Sequence, residues 1–98
     1  MEKNENIEEI KKKVTPILKE YKIIRAGIFG SFARGDNKKK SDVDMLVETQ
    51  KQMGLLELMG LKLALQKAIK RKVDLVEYET IRKELKEQIL GDEIIILQ

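Results

Sequence analysis

The sequence predicts an α/β fold of two layers, in which helices pack on a small mixed β-sheet. Helical and strand periodicities alternate along the chain in the order helix, strand, loop, strand, helix, strand, helix, with no repeat or linker between them. The length of 98 residues is enough for one hydrophobic core but leaves little room for a substrate-binding lobe. We therefore expect a single domain over residues 1–98.

The amino-acid composition excludes several kinds of chemistry. With 42% hydrophobic residues, 1 proline and 6 glycines, the chain is predicted to be compact. It contains no cysteine and no histidine, so any catalysis must use carboxylates, hydroxyls and cations. A net charge of +3 is too small to indicate nucleic-acid binding by itself.

The sequence gives no sign of membrane association. The first residues, Met1 to Asn6, are polar where a signal peptide needs an apolar run. No apolar stretch approaches the length of a membrane span. The expected location is the cytoplasm.

The chain is predicted to begin with an amphipathic helix. Apolar residues recur at three- and four-residue steps from Ile7 to Tyr21, and Asn6 is placed to cap the helix. Thr15-Pro16 interrupts the pattern, which predicts either a kink or a restart with Thr15 as the new cap.

Two strands are predicted on either side of a polar loop. The segment from Ile23 to Phe29 is β-branched at its start and is followed at once by Gly30-Ser31, which indicates a tight turn. The segment from Asp42 to Glu48 alternates polar and apolar residues and then becomes apolar, as a strand does when it enters a buried sheet. Its two aspartates are predicted to lie at the open end.

The second half of the chain is predicted to add a long helix, a strand, a helix and a short last strand. Their predicted bounds are Leu55 to Ile69, Val73 to Tyr78, Ile81 to Leu90 ended by Gly91, and Ile94 to Leu97. For the last tetrad the end of a helix is the alternative, and as a strand it could pair across a dimer edge.

The long helix is predicted to have one apolar face with two further leucines outside it. The apolar face holds Leu55, Leu58, Met59, Leu65 and Ile69. Leu56 and Leu63 fall in the polar sector. They either lie under a loop or form a partner-binding face.

Three aspartates are candidates for a metal site. On a strand, Asp42 and Asp44 point to the same side with Cα atoms about 6.6 Å apart, and two such charges need a cation. Oxygen ligands favour a hard ion, and magnesium bound by carboxylates and phosphates fits better than calcium. If the strand of Asp74 is a neighbour, the three carboxylates can hold two ions about 3.5 to 4 Å apart.

A phosphate site is predicted upstream of the aspartates. Gly30-Ser31 follows a strand and precedes a possible short helix, where backbone N–H groups and a hydroxyl can face phosphate oxygens. Arg34 lies about one helical turn beyond Ser31, within reach of the same phosphates. Lys38 to Lys40 add positive charge, although a run of this kind is more often a solvated loop.

Each of these residues also has a purely structural interpretation. Asp42 and Asp44 could be turn or cap residues, and Gly30-Ser31 could form a tight turn and cap a helix. Asp74 could pair with Arg71 or Lys72 in an ordinary surface ion pair. The combination of all three motifs favours the chemical interpretation.

The combined motif resembles the signature of the polymerase beta type nucleotidyltransferases. It consists of Gly30-Ser31, Arg34-Gly35, Ser41-Asp42-Val43-Asp44 and a distant single aspartate, Asp74. Every position of this motif holds the expected residue. The resemblance covers about residues 7 to 90. The short length is similar to that of the minimal nucleotidyltransferases, often antitoxins encoded beside a HEPN-domain RNase toxin.

The resemblance implies a two-layer nucleotidyltransferase fold with helices mainly on one face of the sheet. It implies that Asp42, Asp44 and Asp74 bind two magnesium ions, that Asp74 also activates the acceptor hydroxyl, and that Gly30, Ser31 and Arg34 hold ATP. The implied reaction is transfer of AMP to a tyrosine of a HEPN-type partner.

Two other functions remain open at this point. One is a non-catalytic antitoxin or nucleotide-binding module that neutralises its partner by occupancy. The other is nucleotidyl transfer to an RNA end, which would need a nucleic-acid platform beyond a lysine-rich loop. The base preference, the acceptor and the formation of a homo-oligomer do not follow from the sequence.

Overall fold

The computed structural model describes residues 7–34, 42–50 and 52–98, and for Ser31 and Arg34 it describes the backbone only. The elements in chain order are α1 (Ile7–Glu20), β1 (Ile23–Phe29), α2 (Ser31–Arg34), β2 (Val43–Thr49), α3 (Leu55–Ile69), β3 (Val73–Glu77), a 3-10 helix (Tyr78–Thr80), α4 (Lys83–Asp92) and β4 (Ile94–Leu97). The predicted order of helices and strands is confirmed. The predicted Asn6 cap and the Lys38–Lys40 loop lie outside the described residues.

The four strands form one mixed sheet in the order β3-β2-β1-β4. β1 pairs antiparallel with both β2 and β4, whereas β2 and β3 are parallel and are joined by α3. A parallel pair needs a crossover connection, and a helix of 15 residues is ample for one. The sheet therefore places the beginnings of β2 and β3 next to each other.

A single layer of helices covers the hydrophobic core on one face of the sheet. The core combines residues from α1, α3 and alternate strand positions: Ile10, Val14, Leu18, Leu61, Leu65, Ile69, Ala26, Ile28, Met45, Val47 and Val73. α4 is described in full and has no buried residue. The predicted two-layer class, with helices mainly on one face, is confirmed.

The first helix runs without interruption across Pro16. Of the two predicted alternatives, a kink or a restart, the restart is therefore excluded. Thr15 is not a cap, because its hydroxyl donates to the carbonyl of Lys11 at 2.6 Å. Ile10, Val14 and Leu18 are buried along one face, so packing against the core outweighs the hydrogen bond that proline cannot make.

The buried face of α3 differs from the predicted one. Leu61 is fully buried together with Leu65, and Ile69 is also buried, whereas Leu55 is 75% exposed and Met59 51% exposed. Two apolar stripes share this helix, and periodicity alone does not say which of them meets the sheet. The prediction was right for Leu65 and Ile69 and wrong for Leu55 and Met59.

The last helix departs from the prediction at both ends, since it begins at Lys83 instead of Ile81. α4 continues through Gly91 to Asp92, so Gly91 does not end the helix. Ile94–Leu97 is a strand, and it pairs with β1 of the same chain. The alternative that the tetrad ends a helix is thereby excluded.

In the described part of the chain, no helix has both the length and the apolar character that crossing a membrane would require.

Candidate active site

The predicted catalytic aspartates lie on the sheet face opposite the core. Val43, Met45 and Val47 of β2 are fully buried in the core, so Asp44, which alternates with them, points to the other face. Across the parallel pair, Asp44 is the register partner of Asp74. Neighbouring strands are about 4.8 Å apart, so the two carboxylates leave the sheet side by side.

Asp42 lies directly before β2 and is exposed, as Asp74 is. The N–H of Val43 donates to the carbonyl of Lys72 at 2.9 Å, which fixes the two strand starts against each other. Among the residues that the structure describes, no three acidic side chains lie close enough to hold one ion as they stand. Of the three predicted aspartates, Asp44 and Asp74 are register partners across the strand pair, whereas Asp42 precedes β2.

Gly30 brings the predicted phosphate turn against this carboxylate pair. Phe29, the last residue of β1, is the register partner of Asp44. Gly30 follows with a φ of +77°, and a Cβ atom there would overlap Oδ2 of Asp44. Only glycine combines this backbone conformation with so close an approach. The backbone of the turn therefore lies at the carboxylates.

The short helix α2 is anchored behind the turn by an aromatic residue. Phe32 is buried in the core, and the guanidinium of Arg71 lies 5.2 Å from the centre of its ring. Phe32 thus packs into the core from α2. Since Arg71 lies two residues before the start of β3, this contact connects α2 with the segment that leads into the strand of Asp74.

The donor set at this end of the sheet consists of carboxylate oxygens. Such a set suits a hard divalent cation, and magnesium shared with phosphate oxygens fits it well. Asp42, Asp44 and Asp74 are the described residues that could hold it. The structure brings Gly30, Asp44 and Asp74 together, but the assignment of roles to the site residues stays a prediction.

A second polar cluster on the same sheet face was not predicted from the sequence. The side chain of Glu93 is 4% exposed; it accepts a hydrogen bond from the Tyr78 hydroxyl and pairs with Arg25 at 3.4 Å. The Arg25 guanidinium also lies 4.4 Å from the centre of the Tyr78 ring. Gly27 leaves the space that Glu93 occupies.

Burial, together with the hydrogen bond to the Glu93 carboxylate and its negative charge, raises the pKa of Tyr78 above its ordinary value. Arg25 and Glu93 are 68 residues apart, so no local pattern relates them. The cluster joins β1, the end of β3 and the turn before β4 on the face that bears the candidate site.

Residues 12–98 match the family model described as "Polymerase beta, Nucleotidyltransferase". A chain of Methanocaldococcus jannaschii, provisionally named a protein adenylyltransferase, is 42% identical over 92 residues, which cover 94% of this chain and 99% of that one. A solved structure provisionally described as a minimal nucleotidyltransferase has a TM-score of 0.78 and 30% identity, over 95% of this chain and 98% of that one.

The fold also occurs in a complex of a toxin with its antitoxin. A structure of a tri-AMPylated HEPN toxin of Shewanella oneidensis with its MNT antitoxin contains a chain that matches this one with a TM-score of 0.69. The identity is 20%, and the match covers 89% of this chain and 68% of that one. At this identity the likeness concerns the fold alone.

The family match covers most of the chain. The chain belongs to the polymerase beta nucleotidyltransferase family, and it is a minimal nucleotidyltransferase.

Proposed function

We propose that this chain transfers AMP from ATP to a tyrosine hydroxyl of a HEPN-type toxin and thereby acts as its antitoxin. The observation that carries the proposal is the position of Asp44, which is in register with Asp74 and in contact with the turn at Gly30. The relative of 42% identity, named for protein adenylylation, supports the choice of reaction. The AMPylated HEPN toxin in a complex of this fold supports the choice of partner.

Each site residue has a role in this proposal. Asp42 and Asp44 hold magnesium, and Asp74 completes the metal site. The backbone at Gly30, with Ser31 and Arg34, holds the triphosphate. When bound, the metal ions neutralise charge on the phosphates and on the attacking and leaving oxygens.

The reaction is an in-line displacement at the α-phosphorus of ATP. The acceptor oxygen forms a bond to this phosphorus, the bond from phosphorus to the oxygen that bridges to the β-phosphate breaks, and pyrophosphate leaves with the electron pair. The acceptor proton passes to Asp74 and from there to water. Most of the acceleration comes from holding donor and acceptor in line, because the nucleophile is the hydroxyl of the acceptor protein.

The test uses ATP labelled in two different positions. The protein is incubated with magnesium and the product of any HEPN-domain gene adjacent to its own, once with α-labelled and once with γ-labelled ATP. Adenylylation places only the α-label on the partner, since the γ-phosphate leaves in pyrophosphate. Label from γ-labelled ATP would indicate phosphoryl transfer, and no label from either would contradict the proposal.

A non-catalytic antitoxin is the second candidate, and the exposed leucines of α3 favour it. Leu56 is 85% exposed and Leu63 60% exposed, which suits binding of a partner whether or not chemistry follows. The Asp44→Asn variant separates the two candidates. If it still neutralises the toxin in the absence of ATP, occupancy alone is sufficient.

A further inference from the structure

The exposed side of α3 presents a continuous apolar surface, which we call the α3 ridge. It consists of Leu55, Leu56, Met59 and Leu63, each more than half exposed. Leu55, Met59 and Leu63 follow one another at four-residue spacing, and such residues lie one above another on a helix. The ridge is turned away from the buried stripe of Leu61, Leu65 and Ile69, so the core does not cover it.

A cavity lies between the ridge and β3, the edge strand that bears Asp74. Its volume is about 220 Å³, and it is lined by Leu58, Met59, Lys62, Asp74 and Leu75. Met59 belongs to both the ridge and the cavity, and Asp74 belongs to both the cavity and the carboxylate pair. Whatever covers the ridge therefore also lies next to Asp74.

The charged side chains that α3 places beside the ridge are all positive. On the helical wheel, Lys62 flanks the ridge on one side, Lys67 flanks it on the other, and Lys70 continues it toward the C-terminus. Glu57 is the one acidic residue of α3, and the wheel places it away from the ridge. A partner that complements this surface presents an apolar patch with acidic residues at its rim.

We infer that the α3 ridge and the adjoining cavity form the docking site for the acceptor protein, and that the cavity receives the side chain that is modified. The inference rests on the proposed function, because it assumes an acceptor that must reach Asp74. It assigns recognition of the acceptor to Met59 and Lys62, which the family motif does not include.

The size of the cavity favours a side chain as its occupant. Pockets for drug-sized ligands and cofactors usually measure about 300 to 1,000 Å³, so a volume of about 220 Å³ is small for a nucleoside. An aromatic side chain matches the lining better, because Leu58, Met59 and Leu75 supply apolar contacts and Asp74 lies beside them on the edge strand.

The experiment compares two double variants that add the same charge at exposed apolar positions. The ridge variant is Leu56→Glu with Leu63→Glu, and the control is Ile24→Glu with Leu85→Glu, whose side chains are each 46% exposed outside the ridge. A third variant, Met59→Trp, fills the cavity. For each protein we would measure the circular dichroism spectrum, the affinity for the HEPN-domain protein that serves as acceptor in the labelling test, and KM for ATP and for that acceptor.

We expect the ridge variant to bind the acceptor protein at least about 10-fold more weakly, with the control within about twofold of the wild type. Met59→Trp should raise KM for the acceptor and leave KM for ATP unchanged. Should the ridge variant fail to fold, replacement of Lys62 and Lys67 by glutamate still tests the site, because it should weaken the complex most strongly at low salt.

Three results would overturn the inference. The first is unchanged affinity and KM in the ridge variant, and the second is a Met59→Trp protein whose KM for ATP rises while that for the acceptor does not. The third is a wild-type homodimer that the ridge variant abolishes, which would make a second copy the occupant. Failure of the proposed function gives a different result. In that case the wild type would bind its partner through the ridge but would not transfer label to it.

Discussion

Asp44 and Asp74 leave two neighbouring parallel strands at the same level, and the backbone of Gly30 lies against Oδ2 of Asp44. Two strand starts and one turn thus meet at a single point of the sheet. The arrangement follows from the crossover through α3, which returns the chain parallel to β2 on its outer side. The geometry of the candidate site therefore depends on the order of the strands as well as on the turn.

Replacing Asp74 by asparagine should lower the rate of transfer more than about 100-fold, because the loss of a ligand and proton acceptor removes several kcal/mol of transition-state stabilisation. The measurement is the initial rate of α-label incorporation into the partner protein. Glu84→Gln on α4, which removes the same charge from an exposed position, is the matched control. Equal rates in Asp74→Asn and the wild type would remove Asp74 from the site.

The same variant should be more stable than the wild type when magnesium is absent. Like charges that face each other on adjacent strands destabilise a sheet by up to about 1 kcal/mol, so Asp74→Asn should raise Tm by a few degrees. Added magnesium should raise the Tm of the wild type and have a smaller effect on the variant. Differential scanning calorimetry with magnesium and with a chelator measures both effects, and identical magnesium responses would count against the metal site.

Gly30→Ala should destabilise the fold and abolish transfer. The residue has a φ of +77°, where a Cβ costs about 1 to 2 kcal/mol, and the added methyl group would also displace Asp44. Gly91→Ala is the opposite case: a Cβ added there meets open space, and alanine within a helix is about 0.5 to 1 kcal/mol more favourable than glycine. Urea denaturation should show a lower free energy of unfolding for Gly30→Ala and a higher one for Gly91→Ala. An unchanged free energy of unfolding in Gly30→Ala would contradict the described turn.

Tyr78 should titrate above the ordinary tyrosine pKa of about 10. Burial, and after it the hydrogen bond to the Glu93 carboxylate and its charge, raise this pKa because they disfavour the phenolate. Absorbance titration of the Tyr21→Phe protein isolates Tyr78, and Glu93→Gln in the same background should lower the midpoint. A midpoint at or below the ordinary value would show that the hydroxyl is not held by Glu93.

The raised pKa also predicts how stability depends on pH. The folded state favours protonated Tyr78, so its stabilising contribution is fully present below the unfolded-state pKa of about 10 and is lost as the pH rises toward the folded-state value. The free energy of unfolding should therefore fall in this range more steeply for the wild type than for Tyr78→Phe. Parallel pH profiles would contradict this linkage.

Much of the fold could be predicted because most elements bury one clear face. The strands over Ile23–Phe29 and Ile94–Leu97 and the helix over Leu55–Ile69 appear at the predicted bounds. The errors arose where two local signals compete. Pro16 remains inside α1 because that helix buries a complete apolar face, and Gly91 lies within α4 although glycine often ends helices.

The site could be predicted in part for a similar reason. Asp42 and Asp44 lie in one short segment, so their proximity is visible in the sequence, whereas the register of Asp44 with Asp74 depends on the sheet order. The Glu93 cluster was missed because its members come from three distant segments. The inner and outer faces of α3 were also confused, since both are apolar and only the tertiary structure distinguishes them.

The most direct test of the central claim is the intact mass of the HEPN-domain partner after incubation with magnesium, ATP and either the wild-type chain or Asp44→Asn. We predict that the wild type increases the mass of the partner by one or more adenylyl groups, that peptide mapping places them on tyrosine, and that Asp44→Asn leaves the mass unchanged. An unmodified partner with the wild type, or equal modification with both proteins, would contradict the account.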